Sequence, residues 1–159
     1  MEYVTAGMET CETQRRIKQT IGRAFLAAHL LTASTEQAES AVVEAMDSWD
    51  PDDDSDEVLF QQVFRTALQA DVEGVPSSWN DPASMLPIEL KAVLRLAPQL
   101  RRCYVLRMLV GLSRQTCARL LHLHSREVDH YTREARQRLP FLDERSPNSK
   151  YFVRMASMN

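Results

Sequence analysis

The apolar residues of this 159-residue chain recur at three- and four-residue steps in several separate stretches, the spacing of one buried helix face. The first stretch runs from Gln14 to about Ala33, with Ile17, Ile21, Ala24, Phe25, Ala28 and Leu31 on one side. Residues 1–13 before it are polar and unpatterned and predict a frayed end. Ser34 or Thr35 offers a side-chain oxygen to the free amides of a second helix, with acidic Glu36 in its first turn. Its apolar face is Ala38, Ala41, Val42, Ala45, Met46 and Trp49, and Asp50-Pro51 ends it. Proline lacks an amide donor and disfavours helix in the residue before it. A third helix, about Glu57 to Ala70, carries Leu59, Phe60, Val63, Phe64, Ala67 and Leu68.

Residues 71–86 break the pattern with Gly74, Pro76, Ser77, Ser78, Asn80, Asp81 and Pro82, and read as a linker. Beyond it, Pro87 opens a helix to about Ala97, in the first turn, where proline is tolerated. Another helix follows from Pro98 to about Val110, broken by Gly111. Ser113 caps a short helix from Arg114 to Leu121, His122-Leu123-His124 make a turn, and a last helix runs from Ser125 to about Leu139 before Pro140. Residues 143–159 read as a tail. The fold class is therefore all-α: a helical domain at 14–70, the linker, a four-helix domain at 87–142 and the tail.

Segment 113–139 has the form of a helix-turn-helix. Ala118 is the small residue needed where the second helix crosses the first, and the turn four residues later favours positive φ, which His122 must supply in place of glycine. Val128, Thr132, Ala135 and Leu139 form the inward stripe of the last helix, and Arg126, His130, Arg133 and Gln137 the outward one. Such an outward face is what a recognition helix lays into the major groove.

Charge sharpens the division. Residues 1–86 hold 5 Lys/Arg against 16 Asp/Glu, a net −11, whereas residues 87–145 hold 12 against 6, a net +6. A basic half is the electrostatic precondition for holding phosphates. The acidic run Asp50 to Glu57 fails as a calcium loop, since Ser55 and Gln61 stand where that loop needs Gly and Glu. Three cysteines, Cys11, Cys103 and Cys117, fit no metal spacing and predict reduced thiols in a cytoplasmic protein. His122, His124 and Cys117 lack further ligands for a metal. Neither a catalytic triad spacing nor a glycine-rich phosphate loop is visible, so no enzyme activity and no cofactor are expected. No apolar run approaches the roughly 20 residues of a membrane span, and Met1-Glu2-Tyr3-Val4 is no signal peptide.

Leu96-Ala97-Pro98-Gln99-Leu100-Arg101-Arg102, Val105-Leu106-Arg107, Gly111-Leu112-Ser113, Ala118, Leu121, Val128 and Ala135-Arg136 fall in an order and spacing that resembles region 4 of sigma-70-type factors. The extracytoplasmic-function group, which has only regions 2 and 4, fits best. Ala27-Ala28-His29-Leu30-Leu31-Thr32, Glu36-Gln37-Ala38-Glu39 and Trp49 are similar to region 2. The resemblance implies a transcription initiation factor. Its second helix would dock on core RNA polymerase through Glu36, Glu39, Val43, Glu44 and Asp47. Its last domain would read a −35-like promoter element with Arg114, Arg126, His130, Arg133 and Arg136.

The chain also departs from that family. Ser40-Ala41-Val42-Val43 replaces the usual Asp-Leu-Val-Gln of the docking helix. The third helix carries one basic residue, Arg65, where promoter-opening residues belong, and Phe60 and Phe64 at helical spacing read as core. In the last helix, Asp129 is expected to pair with Arg133 and Glu134 with Arg138, cancelling part of the positive face. These departures keep two other functions open: a sigma mimic that captures an anti-sigma factor, or a DNA-binding regulator using the C-terminal domain alone as a dimer.

Overall fold

The computed structural model describes residues 5–51, 55–69 and 86–139, with side chains from residue 11 onward. The described residues form α-helices joined by turns: α1 (Thr5–Thr32), α2 (Thr35–Ser48), α3 (Asp56–Gln69), α4 (Ile88–Leu94), α5 (Pro98–Tyr104), α6 (Arg114–Leu121) and α7 (Ser125–Arg138). Most of the predicted linker and all of the predicted tail lie outside the described residues.

Helix α1 begins at Thr5 rather than Gln14. The polar stretch before the apolar face, with Met8, Glu9 and Glu12, continues the same helix because these residues suit it whether or not they are buried. Ala33 ends α1 in the left-handed region at φ 55, and Ser34 starts α2, its hydroxyl accepting the Gln37 N–H at 3.3 Å. Helices α1, α2 and α3 pack mutually. Alanines Ala24, Ala27, Ala28, Ala38, Ala41 and Ala45 let α1 and α2 approach closely, while α3 supplies bulk through Leu59, Phe60, Val63 and Phe64. Trp49 is buried where α2 ends, donating its indole N–H to the Ser55 carbonyl at 3.3 Å. Met46, expected on the inward face, is instead 41% exposed, at the margin of the stripe whose centre is the buried Ala41, Val42 and Ala45.

In the second half, α4 stops at Leu94 rather than near Ala97. Pro98 restricts Ala97, and the chain turns early with the Arg95 N–H on the Ala92 carbonyl at 3.2 Å. Pro87 precedes α4 as its cap rather than lying within the first turn. Helix α5 is regular only to Tyr104. Val105–Leu109 then form one wide π turn, in which the Val110 N–H reaches back five residues to the Val105 carbonyl at 2.8 Å. Gly111 at φ 82 ends it, and the Leu112 N–H closes onto the Leu106 carbonyl at 2.9 Å. Helix α7 packs chiefly on α5 and α6. Helix α1 also lies against α4 and α5, and α3 against α6, so one apolar core runs through both groups of helices.

Candidate nucleic-acid interface

The interface is built by two short helix ends and the turn between them. Ser113 Oγ accepts the Thr116 N–H at 3.1 Å and so fixes the start of α6. The helix ends at His122 with φ 54 and ψ 41, the left-handed conformation predicted for that position. The Leu123 N–H returns to the Ala118 carbonyl at 3.0 Å and completes the stop. Glu127 Oε2 then accepts the His124 N–H at 2.8 Å, fixing the first turn of α7. Sequence reasoning missed this bond, although a glutamate three residues past the cap is its ordinary signal.

Three residues anchor the inner face of α7: Val128, Thr132 and Ala135, with Leu139 buried just beyond. Thr132 hides its hydroxyl from the core by donating to the Val128 carbonyl at 2.7 Å. Arg126, His130, Arg133 and Gln137 are exposed on the opposite face. Arg136 is exposed too, but on the flank toward α5. There its charge favours the ionised phenol of Tyr104, while burial, the larger effect, pushes that phenol up.

The ion pairs differ from expectation in one place. Asp129 does not pair with Arg133. It accepts from Arg114 Nη1 at 2.8 Å, since α6 crosses α7 so that Arg114 in its first turn meets Asp129 directly. Arg114 is thus tied within the motif, and Arg133 has no ion pair among the described residues. Glu134 takes Arg138 at 2.6 Å as expected, and His130 Nε2 lies 3.8 Å from the same carboxylate. Arg126, Arg133 and Arg136 are left as cations without an ion pair among the described residues.

Not all of the basic half's charge is at the surface. Arg101, part of the sequence signature, is 4% exposed, and its Nη1 donates to the carbonyls of Leu94 and Leu96 at 3.3 Å each. It completes the open carbonyls where α4 ends. Burial, with Arg102 nearby, pulls its pKa down to about 10. Arg107 similarly donates to the Leu112 carbonyl at 2.7 Å and holds the corner before α6.

The second set of candidates lies on α2. Glu36, Glu39, Val43, Glu44 and Asp47 are all exposed, and Val43, 60% exposed, joins Met46 in an apolar spot framed by carboxylates. On α3, Phe60 and Phe64 are buried and stack with ring centroids 6.0 Å apart, while Arg65 is exposed. Cys103 and Cys117 are buried, and burial pushes their thiols up to about 11 and about 12, so both stay protonated. The part of the acidic run at residues 52–54 lies outside the described residues; among those described, no group of three His, Cys, Asp or Glu is gathered as a metal site. No described helix is long and apolar enough to cross a membrane.

Residues 89–139 match the family model described as sigma-70, region 4, a span that begins in α4 and ends just past α7. The match does not extend to α1–α3. No curated protein and no solved structure matches the chain. The helix-turn-helix, with its capped first helix, left-handed turn and open basic face, therefore lies within the segment, residues 89–139, that is similar to sigma-70 region 4.

Proposed function

We propose that the protein is a divergent sigma-like initiation factor of the two-region type, with α7 reading a −35-like promoter element. The carrying observation is the two-faced α7: Val128, Thr132 and Ala135 are buried, and Arg126, His130 and Arg133 stand exposed on the outside. An arginine on such a face can hold a guanine edge with two hydrogen bonds, worth about 1–3 kcal/mol of discrimination, and others neutralise phosphate. The outer face of α2, with exposed Val43 and Met46 among Glu36, Glu39, Glu44 and Asp47, is the surface for core RNA polymerase. The test is capture of core polymerase by the purified protein, followed by footprinting on promoter DNA. Protection near −35 that disappears in Arg126→Ala/Arg133→Ala supports the reading; no protection at low salt sinks it.

A second reading rests on α3. Its exposed residues include one cation, Arg65, and both of its aromatics, Phe60 and Phe64, are buried in the core. That favours a sigma mimic, which keeps the α2 surface and captures an anti-sigma factor without melting DNA. Polymerase binding with an open bubble near −10 would exclude it.

A further inference from the structure

Helices α3 and α6 belong to different halves of the chain, and where they meet they leave a cleft of about 650 Å³. Nothing in the proposed reading of DNA uses it. Its apolar lining is Leu112 and Leu120 at the corner and face of α6, both half-buried, backed by Phe60 and Phe64 of α3, which are themselves buried. Two guanidinium groups stand on its opposite lips: Arg65 on α3 and Arg119 on α6. Both arginines are exposed, and neither has an ion pair among the described residues. The carboxylate in the lining, Glu57, accepts from Gln61 Nε2 at 3.2 Å.

We infer that this cleft binds a small aromatic anion, its ring body against Leu112 and Leu120 and its acid group between Arg65 and Arg119. Three features favour that class. The volume falls within the range of about 300–1,000 Å³ usual for small-molecule sites, whereas a partner helix needs a channel roughly 10 Å across over several turns. The lining mixes apolar side chains with polar ones such as Gln61, Gln69 and Thr116, which suits a ligand with both an apolar body and a polar group. Two cations against one engaged carboxylate select an anion, and guanidinium groups grip carboxylate or sulfonate oxygens with paired hydrogen bonds. The site would hold whether or not α7 reads DNA, because no residue of α7 lines it.

The experiment is a fluorescence titration of the full chain with 8-anilinonaphthalene-1-sulfonate, in parallel with its uncharged analogue N-phenyl-1-naphthylamine. The expected result is saturable binding of one sulfonate probe per chain, with the uncharged analogue at least tenfold weaker. Arg65→Glu and Arg119→Glu should each weaken the sulfonate probe by about tenfold, the loss of one charge-assisted contact. Gln61→Trp, which fills the cleft from an exposed position of α3, should abolish binding while leaving the helical circular dichroism unchanged. Absence of saturable binding, equal affinity for the two probes, or an unchanged Kd in either charge-reversed variant overturns the site.

Discussion

Helices α3 and α7 are each fourteen residues long and amphipathic, yet they are held in the fold by different means. Helix α3 buries Leu59, Phe60, Val63, Phe64 and Ala67, a wide stripe of mostly large side chains. Helix α7 buries only Val128, Thr132 and Ala135 along its length, a narrow stripe of small ones. What α7 lacks in buried area it recovers at its ends, through the Glu127 bond to the His124 N–H and the left-handed turn that delivers it. The difference follows from what each presents outward. A helix that must offer most of its circumference to a partner has little left to bury, so its position is set by caps and crossing geometry. Helix α3, whose outward residues Glu57, Gln61, Arg65 and Gln69 are exposed, spends the rest of its circumference on core.

Bulk holds α3 most at Phe64, which is 2% exposed. Phe64→Ala should destabilise the protein by about 3–5 kcal/mol, the range for emptying a buried aromatic site. That is a large share of an ordinary domain's stability of about 5–15 kcal/mol. Urea unfolding checks it. A loss below about 1.5 kcal/mol, small for a buried Phe truncation, would mean that bulk does not hold α3.

On α7 the large effects should appear in binding and not in stability. Arg133→Ala removes an exposed cation with no ion pair among the described residues, so unfolding should be unchanged within about 0.5 kcal/mol. Affinity for promoter DNA should fall by about 1–3 kcal/mol if the side chain reads a base. A phosphate contact would instead weaken all sequences alike and lower the salt slope by about one. Fluorescence anisotropy at several salt concentrations separates the two. Unaltered affinity would remove Arg133 from the interface.

How much of this was legible from residues alone differs between the two helices in the same way. The buried stripe of α7, its outward residues, the Ser113 cap and the positive φ at His122 all follow from local spacing and backbone rules. Local rules also placed α2 and α3 to within a residue or two. What sequence could not supply were contacts between distant segments. Arg114 lies fifteen residues from Asp129, and the i,i+4 neighbour Arg133 was the obvious partner until the α6–α7 crossing decided otherwise. Nothing local says that the end of α4 would wrap the Arg101 guanidinium. The α3–α6 cleft is likewise a product of packing between halves. Met46 was misplaced for a smaller reason: it sits at the margin of its apolar stripe, where pattern alone does not fix the side.

If ends position α7, weakening an end should matter more than its small area implies. Glu127→Ala deletes the 2.8 Å bond to the His124 N–H and should cost about 1 kcal/mol, whereas Glu127→Gln, which can still accept that bond, should retain most of it. Thermal unfolding of the pair provides the check. Equal stability of the two variants would show that the bond contributes nothing and that the narrow stripe suffices.

The turn before α7 gives the smallest and opposite effect. His122 sits at φ 54, where an L side chain crowds the following carbonyl at a cost of about 1–2 kcal/mol. Glycine removes that strain but frees the unfolded chain, which returns about 0.5–1 kcal/mol. The imidazole is exposed and its loss opens no cavity in the core. His122→Gly should therefore stabilise the protein by about 0.5–1 kcal/mol, a rise in Tm of roughly 1–4 °C for a chain of this size. It should do so without changing DNA affinity, because the turn faces the α3 side of α6 and not the outer face of α7. A loss of stability would mean that the imidazole makes contacts worth more than the strain it carries. The positive φ would then be set by the side chain and not tolerated in spite of it.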